Sequence, residues 1–221
     1  MHNDEKFAHI FVKIVKMKTK TEIIDPLSHL GKELRSVRRA QGLTLQALAD
    51  LSDKSVSFLS KIERGRARPS VTALQDIASA LGFPVGWFFE NDGPVPADER
   101  RNVVRASRRR RLSYSGVSGT DYMGFQDHLL SASLDGSLAL GISHYEPDGS
   151  TGDDLYTHIG EEAGLVVEGE IELTLGKKTF LLKTGDSFSF SADTPHRFRN
   201  PGESRAAVVW ANTPVSLRKQ D

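Results

Sequence analysis

The hydrophobic periodicity of the chain changes once, and this change limits what the chain can fold into. Between Leu27 and Phe89 the apolar residues recur at intervals of three and four, which is the period of amphipathic helices. From Ser113 onward, short alternating stretches are separated by Gly, Asp, Asn and Pro, which is typical of β-strands joined by turns. A chain of 221 residues has room for one or two domains of roughly 100–200 residues. We therefore predict a multidomain α + β protein with an all-α N-terminal part, here called the front half, and an all-β C-terminal part, here called the back half.

Charge is divided along the chain in the same way. Basic and acidic residues both total 29, yet nine basic residues stand against four acidic ones between Ser28 and Arg68. The stretch Glu99–Leu112 has seven arginines and one acid, whereas residues 113–221 have eight basic and sixteen acidic residues. The basic front half fits a polyanionic partner, and the acidic back half fits a different one.

Several classes of protein are excluded by what the sequence lacks. It has no cysteine, which excludes disulfides, zinc fingers, iron–sulfur clusters and cysteine nucleophiles. No apolar run approaches the roughly 18–20 residues that cross a bilayer, and the first residues lack the apolar stretch of a secretory signal. The sequence predicts a cytoplasmic protein of bacterial type with no membrane partner.

Helix caps and glycines divide the front half into short elements. Three hydroxyl residues are suited to begin helices and three glycines are suited to end them. They are Thr44, Ser55 and Ser70 for the starts, and Gly42, Gly65 and Gly82 for the ends. A fifth short apolar segment runs from Pro84 to Phe89. Two of these helices, joined by the turn at residues 52–54, have the arrangement of a helix-turn-helix DNA-binding motif.

Residues 27–90 resemble the five-helix, lambda-repressor-like helix-turn-helix domain of the XRE family. The motifs LTLQALAD, SFLSKIERGRARPS and IASALG carry the resemblance in the order and spacing of that family. Asp53 stands where the family often has Gly, and Lys54 stands where an apolar residue is common. The resemblance implies a domain that binds a double-stranded DNA operator, as a homodimer on a two-fold site.

The resemblance also implies which side chains touch DNA. The helix that begins after Ser55 would lie in the major groove, where base edges carry a distinguishable pattern of donors and acceptors. Val56, Ser57 and Lys61 of this helix would face bases, Ser60 fits either direction, and the arginines that follow the helix would contact phosphates. The implied DNA-binding residues are Gln46 on a phosphate, Ser55, Val56, Ser57, Ser60 and Lys61 on the recognition helix, and Arg64, Arg66 and Arg68 after it. The alternative for Ser57 and Lys61 is that they are ordinary surface residues.

Two segments outside these motifs keep more than one interpretation. Residues 1–26 are basic and loosely alternating, so they fit a frayed strand, an arm that touches DNA, or a variable tail, and Met17 is a candidate initiator. Residues 91–112 form a linker that begins with Pro and Gly and ends with the arginine run Arg108–Arg111. That run fits either a nucleic-acid-binding patch or a structural role at the entry to the second domain.

Residues 113–221 are predicted to form the second domain, and roughly Asp121–Pro214 within it resemble the cupin superfamily, an all-β jelly roll or double-stranded β-helix. Two paired motifs within the run from Asp154 to Gly202 carry the resemblance. Their residues at the family spacing are His158, Glu162 and Gly169 in the first motif and Gly185, His196 and Asn200 in the second. The predicted strand regions include Leu138–Tyr145, Leu165–Leu175, Lys178–Leu182 and Ala206–Trp210.

His158, Glu162 and His196 are the candidate metal ligands, because two histidines and a carboxylate hold a divalent metal with open positions. Tyr156 stands where the family usually has a further histidine. Three alternatives remain open, namely a site for Zn, Fe, Mn or Ni, a metal-free pocket that binds an organic effector, and a structural polar cluster. The candidate effector-binding residues are Tyr156, His158, Glu162, His196, Phe198 and Trp210. The other histidines are interpreted as surface or satisfied core residues.

The sequence supports two functions. The first is a transcriptional regulator, not an enzyme, whose cupin domain senses a small-molecule effector and shifts the population of DNA-competent forms. The alternative is a mononuclear non-haem iron oxidoreductase similar to the phosphonate epoxidases, which also combine the two domains. The basic residues Lys61, Arg64, Arg66 and Arg68 favour the regulator. A passive binding module would explain the back half alone.

Overall fold

Four α-helices form the front of the molecule in the computed structural model, which describes residues 26–89, 99, 102–112 and 123–217. They are α1 (Pro26–Ala40), α2 (Leu45–Ser52), α3 (Val56–Glu63) and α4 (Val71–Ala80). The interpretations offered for residues 1–25, including Met17, lie outside the described residues. In the part of the chain that is described, every helix is too short or too polar to cross a membrane.

The helix starts follow the local sequence. The hydroxyl oxygens of Thr44, Ser55 and Ser70 accept hydrogen bonds from backbone N–H groups three residues later, which confirms the predicted caps. Asp53, which replaces the glycine that is frequent in the family, has φ 52 and ends α2 in the left-handed conformation. Aspartate adopts this conformation more readily than most residues, so the turn between α2 and α3 is kept.

The predicted fifth helix is a single 3₁₀ turn rather than an α-helix. Residues Val85–Phe89 form this turn directly after Pro84. Only five residues are available, and one of them is Gly86, so no α-helix of useful length can form. Trp87 and Phe88 are nevertheless 1% exposed. The segment therefore packs into the core as a 3₁₀ turn, and the count of five α-helices is one too many for the described residues.

Within the described residues, nine strands form two antiparallel sheets behind the helices. They are β1 (Arg110–Leu112), β2 (Phe125–Leu129), β3 (Ala139–Tyr145), β4 (Glu161–Glu168), β5 (Glu170–Leu175), β6 (Lys178–Lys183), β7 (Ser187–Ser191), β8 (His196–Arg199) and β9 (Ala206–Thr213). The large sheet has the order β1-β2-β3-β9-β4-β7, and the small sheet has the order β6-β5-β8. This architecture confirms the predicted all-β cupin domain.

The stretch Leu165–Leu175, predicted as one strand region, is divided between the two sheets. Gly169, with φ 70, separates β4 in the large sheet from β5 in the small one. A Cβ atom at this glycine would lie 2.7 Å from the backbone oxygen of Arg205, so the chain can turn here only without a side chain. Apolar and polar residues alternate on both sides of Gly169, which is why the sequence pattern alone did not reveal the turn.

One buried apolar cluster runs without interruption from the helices into the domain formed by the two sheets, here called the barrel. It joins Leu34 of α1 and Trp87 to Leu112 of β1 and Leu217 beyond β9. Arg110 lies in the same region with its side chain 3% exposed, whereas Arg108 and Arg109 are exposed. Arg110 therefore has the structural role at the entry to the second domain that was one of the two interpretations of the arginine run.

Candidate functional site: a recognition helix and a barrel cavity

Helix α3 and the residues on either side of it include all the residues implied to bind DNA except Gln46, which lies on α2. Leu59 and Ile62 face the core and are 2% exposed, which leaves the opposite face of this amphipathic helix to solvent. The exposed candidates are Gln46, Ser55, Ser57, Lys61, Arg64, Arg66 and Arg68, and the half-buried ones are Val56 and Ser60. Val56 packs against the helical core, so only part of its side chain is open to a partner.

Helix α1 holds α3 in place through a buried ion pair and a backbone contact. Nε and Nη2 of Arg38 donate to the two carboxylate oxygens of Glu63 at 2.6 and 2.9 Å. Nη1 of Arg38 donates to the Leu43 carbonyl at 2.7 Å. A Cβ atom at Gly31 would lie 2.3 Å from the Ile62 carbonyl oxygen, so the two helix backbones touch. Helix α3 is therefore fixed to α1 at its C-terminal end.

The three candidate metal ligands meet inside the barrel, where their donor atoms all lie within 4.8 Å of one another. Oε2 of Glu162 is 2.9 Å from Nε2 of His158 and 3.7 Å from Nε2 of His196. Their side chains are 5%, 8% and 0% exposed for His158, Glu162 and His196. Two donors bound at about 2.1 Å to one ion are themselves about 3 to 3.5 Å apart. The spacing therefore fits a shared ion.

A hydrogen bond fixes which ring nitrogen His196 offers. Its Nδ1 lies 2.8 Å from the Thr194 carbonyl oxygen, which can only accept, so Nδ1 donates and Nε2 faces Glu162. At His158, Nε2 forms a 2.9 Å hydrogen bond with Oε2 of Glu162, and Nδ1 lies 3.3 Å from the Ile159 carbonyl oxygen. An ion held between His158 and Glu162 would replace their hydrogen bond. An Nδ1–H held by a backbone carbonyl, as in His196, is typical of histidines that bind metals.

Tyr156 lies beside the ligands as part of the cavity wall. Its backbone N–H and carbonyl both bond to His196 at 3.0 Å, and the two ring centroids are 4.2 Å apart. Gly160, with φ 94, bends the chain between His158 and Glu162. The bend explains why Tyr156 and His158 precede β4 while Glu162 belongs to it.

The cavity around the ligands also has polar residues that the sequence did not reveal. Five of the six candidate effector residues line it, and His196 lies directly behind Glu162. Ser143 donates to Asp127 and accepts from the indole N–H of Trp210 at 2.9 Å. Asn212 and Ser216 line the same space. Asp127 and Ser143 occupy inward positions of alternating strands, and a polar residue at such a position was the available signal.

Comparisons with known proteins agree with both halves of this description. Residues 34–88 match the helix-turn-helix family, and residues 141–212 match the cupin domain family. The HTH-type transcriptional regulator PuuR of Escherichia coli K12 is 30% identical over 187 residues, which cover 85% of this chain and 96% of PuuR. The chain belongs to the helix-turn-helix transcriptional regulators with a cupin domain.

Two further similarities bear on the alternative functions. The HTH-type transcriptional regulator SutR of E. coli K12 is 23% identical over 174 residues, which cover 79% of this chain and 88% of SutR. Hydroxypropylphosphonic acid epoxidase from S. wedmorenis is 22% identical, with 84% of this chain and 97% of the enzyme covered and a TM-score of 0.40. That structural likeness is too low to carry an argument. The similarity to PuuR and SutR supports the regulator over the enzyme.

Two histidines of this regulator that were interpreted as surface or satisfied residues form a pair on the outer face of the large sheet. His128 and His144 have ring centroids 5.9 Å apart, and the Nδ1 atom of each is buried without a hydrogen-bond partner among the described residues. Burial lowers the pKa of both rings. Arg111 and Arg109 add to this effect at His128, and Arg205 adds to it at His144, whereas Glu168 opposes it there.

These lowered pKa values predict a loss of stability in mild acid. The unfolded chain takes up protons near the ordinary histidine pKa of about 6.5, and the folded pair takes them up only at lower pH, so the free energy of unfolding falls as pH drops below about 6.5. We expect a His128→Gln/His144→Gln variant to lose part of this pH dependence in urea unfolding between pH 7.5 and 5.5. His29→Gln, a change outside the pair, is the control. An unchanged pH dependence in the double variant would contradict the assignment.

Proposed function

We propose that this regulator binds a specific operator in double-stranded DNA and that a small molecule in the barrel cavity changes its affinity for that site. The observation that carries the proposal is the exposed face of α3, where Ser57 and Lys61 are followed by three exposed arginines. This face is held rigidly by the ion pair between Arg38 and Glu63. Such a regulator acts on chromosomal DNA, so its place of action is the bacterial cytoplasm.

The residues of the cavity support a divalent metal as part of the sensor. Nε2 of His158, Nε2 of His196 and a carboxylate oxygen of Glu162 would hold it. When bound, a metal with this ligand set supplies open coordination positions to an oxygen or nitrogen atom of the effector. Tyr156, Phe198 and Trp210 would enclose the remainder of that molecule. Nitrogen and carboxylate donors suit Zn, Fe, Mn or Ni, and the ligand set does not choose among them.

The size of the cavity limits the effector to a small molecule. The cavity has a volume of about 40 Å³, which is room for roughly three waters. Its lining is mixed, with Asp127 and Glu162 beside the rings of Phe125, Tyr145 and Trp210. Burial raises the pKa of the Tyr145 hydroxyl well above its usual value. Tyr145 therefore stays neutral and can donate a hydrogen bond.

DNA selection with single-residue variants tests the proposed operator binding. The full chain is used to enrich a duplex from a random pool, and affinities are measured by fluorescence anisotropy at several salt concentrations. Lys61→Ala is expected to cost about 1–3 kcal/mol and to relax the preference at one base position, because it removes a base contact. Arg66→Ala is expected to weaken binding to all duplexes alike, because it removes a phosphate contact. The slope of log affinity against log salt concentration should become less steep by about one.

Lys178→Ala is the matched control, since Lys178 is an exposed basic residue on strand β6 of the barrel. It should leave both affinity and preference unchanged. Operator binding would be contradicted if the folded parent chain enriched no duplex, or if Lys61→Ala and Lys178→Ala behaved alike.

The outer face of the large sheet fits a second copy of this chain. Leu165 and Val167 of β4 are 42% and 39% exposed. A row of apolar side chains runs from Leu165 across the neighbouring strands β9 and β3, where it includes the half-buried Val209 and Ile142. The β4 side of this face carries exposed Glu161 and Glu168, whereas the β1 side carries Arg109 and Arg111. A two-fold axis parallel to the strands would place the acidic side against the partner's basic side. We therefore propose homodimerisation through this face.

The dimer proposal is tested by analytical ultracentrifugation. The parent chain is expected to sediment as a dimer, and Leu165→Arg is expected to shift it toward the monomer, because the new guanidinium would be buried against the basic side of the partner. Leu181→Arg is the control, since Leu181 is 51% exposed but lies on β6 in the other sheet. A monomeric parent, or dimers of equal strength for both variants, would refute this interface.

A further inference from the structure

We propose that residues Pro214–Leu217, here called the strap, couple the occupation of the cavity to the position of the recognition helix. The strap leaves the end of β9 at the cavity and ends against α1. The inference rests on the proposed function, because it assigns the path by which a bound effector would change DNA affinity. Three sets of contacts form the path, namely those of the strap at the cavity, those of the strap at α1, and those between α1 and α3.

At the cavity, the strap touches both the lining and the ligand loop. Ser216 lines the cavity, and its backbone carbonyl accepts a hydrogen bond from the Asn212 side chain at 2.8 Å. Gly160, between two of the candidate ligands, packs against the start of the strap. A Cβ atom at Gly160 would lie 2.3 Å from the Thr213 carbonyl oxygen and 2.6 Å from Cδ of Pro214. With so little free space, a shift of the ligand loop must displace the strap.

At its other end, the strap is bonded to the last residue of α1. The N–H of Leu217 donates to the Ala40 carbonyl at 2.8 Å. Carbonyls in the last turn of a helix have no partner within the helix, so this bond satisfies one of them. The Leu217 side chain is 3% exposed and lies in the apolar cluster shared by helices and barrel. The strap therefore fixes the C-terminal end of α1.

A second contact holds α1 to the barrel two turns earlier. Nη1 of Arg110, on β1, donates to the Glu33 carboxylate, and the guanidinium lies 4.1 Å from the ring centroid of Trp87. The indole N–H of Trp87 donates to the Arg111 carbonyl at 2.7 Å. Because α1 is held at Glu33 and again at Ala40, displacement of the strap would tilt the helix about the Arg110 contact rather than move it as a whole.

A tilt of α1 would move the recognition helix α3, because the two helices are in direct contact. Arg38 lies two residues before Ala40 and forms the buried ion pair with Glu63, and Gly31 brings the backbone of α1 against the end of α3. In a two-fold dimer, such a tilt changes the distance between the two recognition helices, which must match the spacing of the half-sites. A ligand that prefers one tilt therefore changes DNA affinity, and DNA must in turn change the cavity.

Amide hydrogen exchange on the full chain tests this reciprocity without knowledge of the effector. The probe is the duplex enriched in the selection experiment, and exchange is followed in peptides covering the strap and the loop from His158 to Glu162. A saturating duplex is expected to change exchange in both peptides by at least about fivefold in the parent chain. Leu217→Asp, which should detach the strap from α1, is expected to bind the duplex while its ligand loop no longer responds. The matched control Leu181→Asp should respond like the parent.

Each outcome decides between the alternatives. If the parent chain binds the duplex without a change in either peptide, or if Leu217→Asp responds fully, the coupling is refuted while operator binding stands. If the parent selects no duplex, the proposed function fails and this inference fails with it. If Leu217→Asp does not fold, the milder Leu217→Ala is compared with Leu181→Ala in the full chain, and only Leu217→Ala should weaken the response of the ligand loop.

Discussion

The variant Arg38→Met is expected to be less stable than the parent chain by about 3–5 kcal/mol, because it removes one partner of a buried ion pair. The side chains of Arg38 and Glu63 are 11% and 7% exposed, so the remaining carboxylate would have little access to water. The Leu43 carbonyl would lose its hydrogen bond as well. Urea unfolding followed by circular dichroism measures the change.

Two further variants identify the origin of this effect. Arg39→Met removes the neighbouring arginine, which is 61% exposed and 4.0 Å from Asp135, and it should change stability by no more than about 0.5 kcal/mol. The double variant Arg38→Met/Glu63→Leu replaces both charges by apolar side chains and should recover much of the loss. If Arg38→Met and Arg39→Met were equally stable, the ion pair would not be what holds α3 to α1.

The variant His196→Ala is expected to bind divalent metal at least about 100-fold more weakly than the parent, since outer-shell groups alone are worth about 10- to 100-fold. The His196 side chain is fully buried, and its Nδ1 lies 2.8 Å from the Thr194 carbonyl oxygen, so the ring is held with Nε2 toward the other two ligands. Titration calorimetry with Mn²⁺, Ni²⁺ and Zn²⁺ measures the loss, and His158→Ala should behave in the same way.

His144→Ala serves as the matched control, because this histidine belongs to the same domain but lies on the outer face of the large sheet. It should bind metal like the parent chain. A parent chain that bound none of the three ions would favour the metal-free pocket. If His196→Ala kept full affinity, the metal would have to be held elsewhere.

Local and regularly spaced features of this chain could be predicted from sequence. The caps Thr44, Ser55 and Ser70 act on residues three positions away, so their effect is visible in the sequence itself. Spacing within each cupin motif likewise pointed to His158, Glu162 and His196, and the structure brings these three together. In both cases the information lies within short segments or within a known pattern.

Contacts between distant segments could not be predicted in this way. Arg110 was one of four consecutive arginines, and only the packing of β1 against α1 distinguishes it as the partner of Glu33. The bond from Leu217 to Ala40 joins residues on two different domains, and no local pattern marks either of them. The inward polar residue Asp127 could have been noticed in an alternating strand, but its partner Ser143 depends on the strand pairing.

Hydroxyl-radical footprinting of the full chain on its selected duplex maps where the protein binds. Operator binding by a two-fold dimer predicts two protected half-sites related by two-fold symmetry, with centres about one helical turn or a multiple of it apart. It also predicts that Lys61→Ala weakens protection in both halves while Lys178→Ala does not. Uniform reactivity along the duplex at moderate salt, with folded protein present in excess, would contradict it.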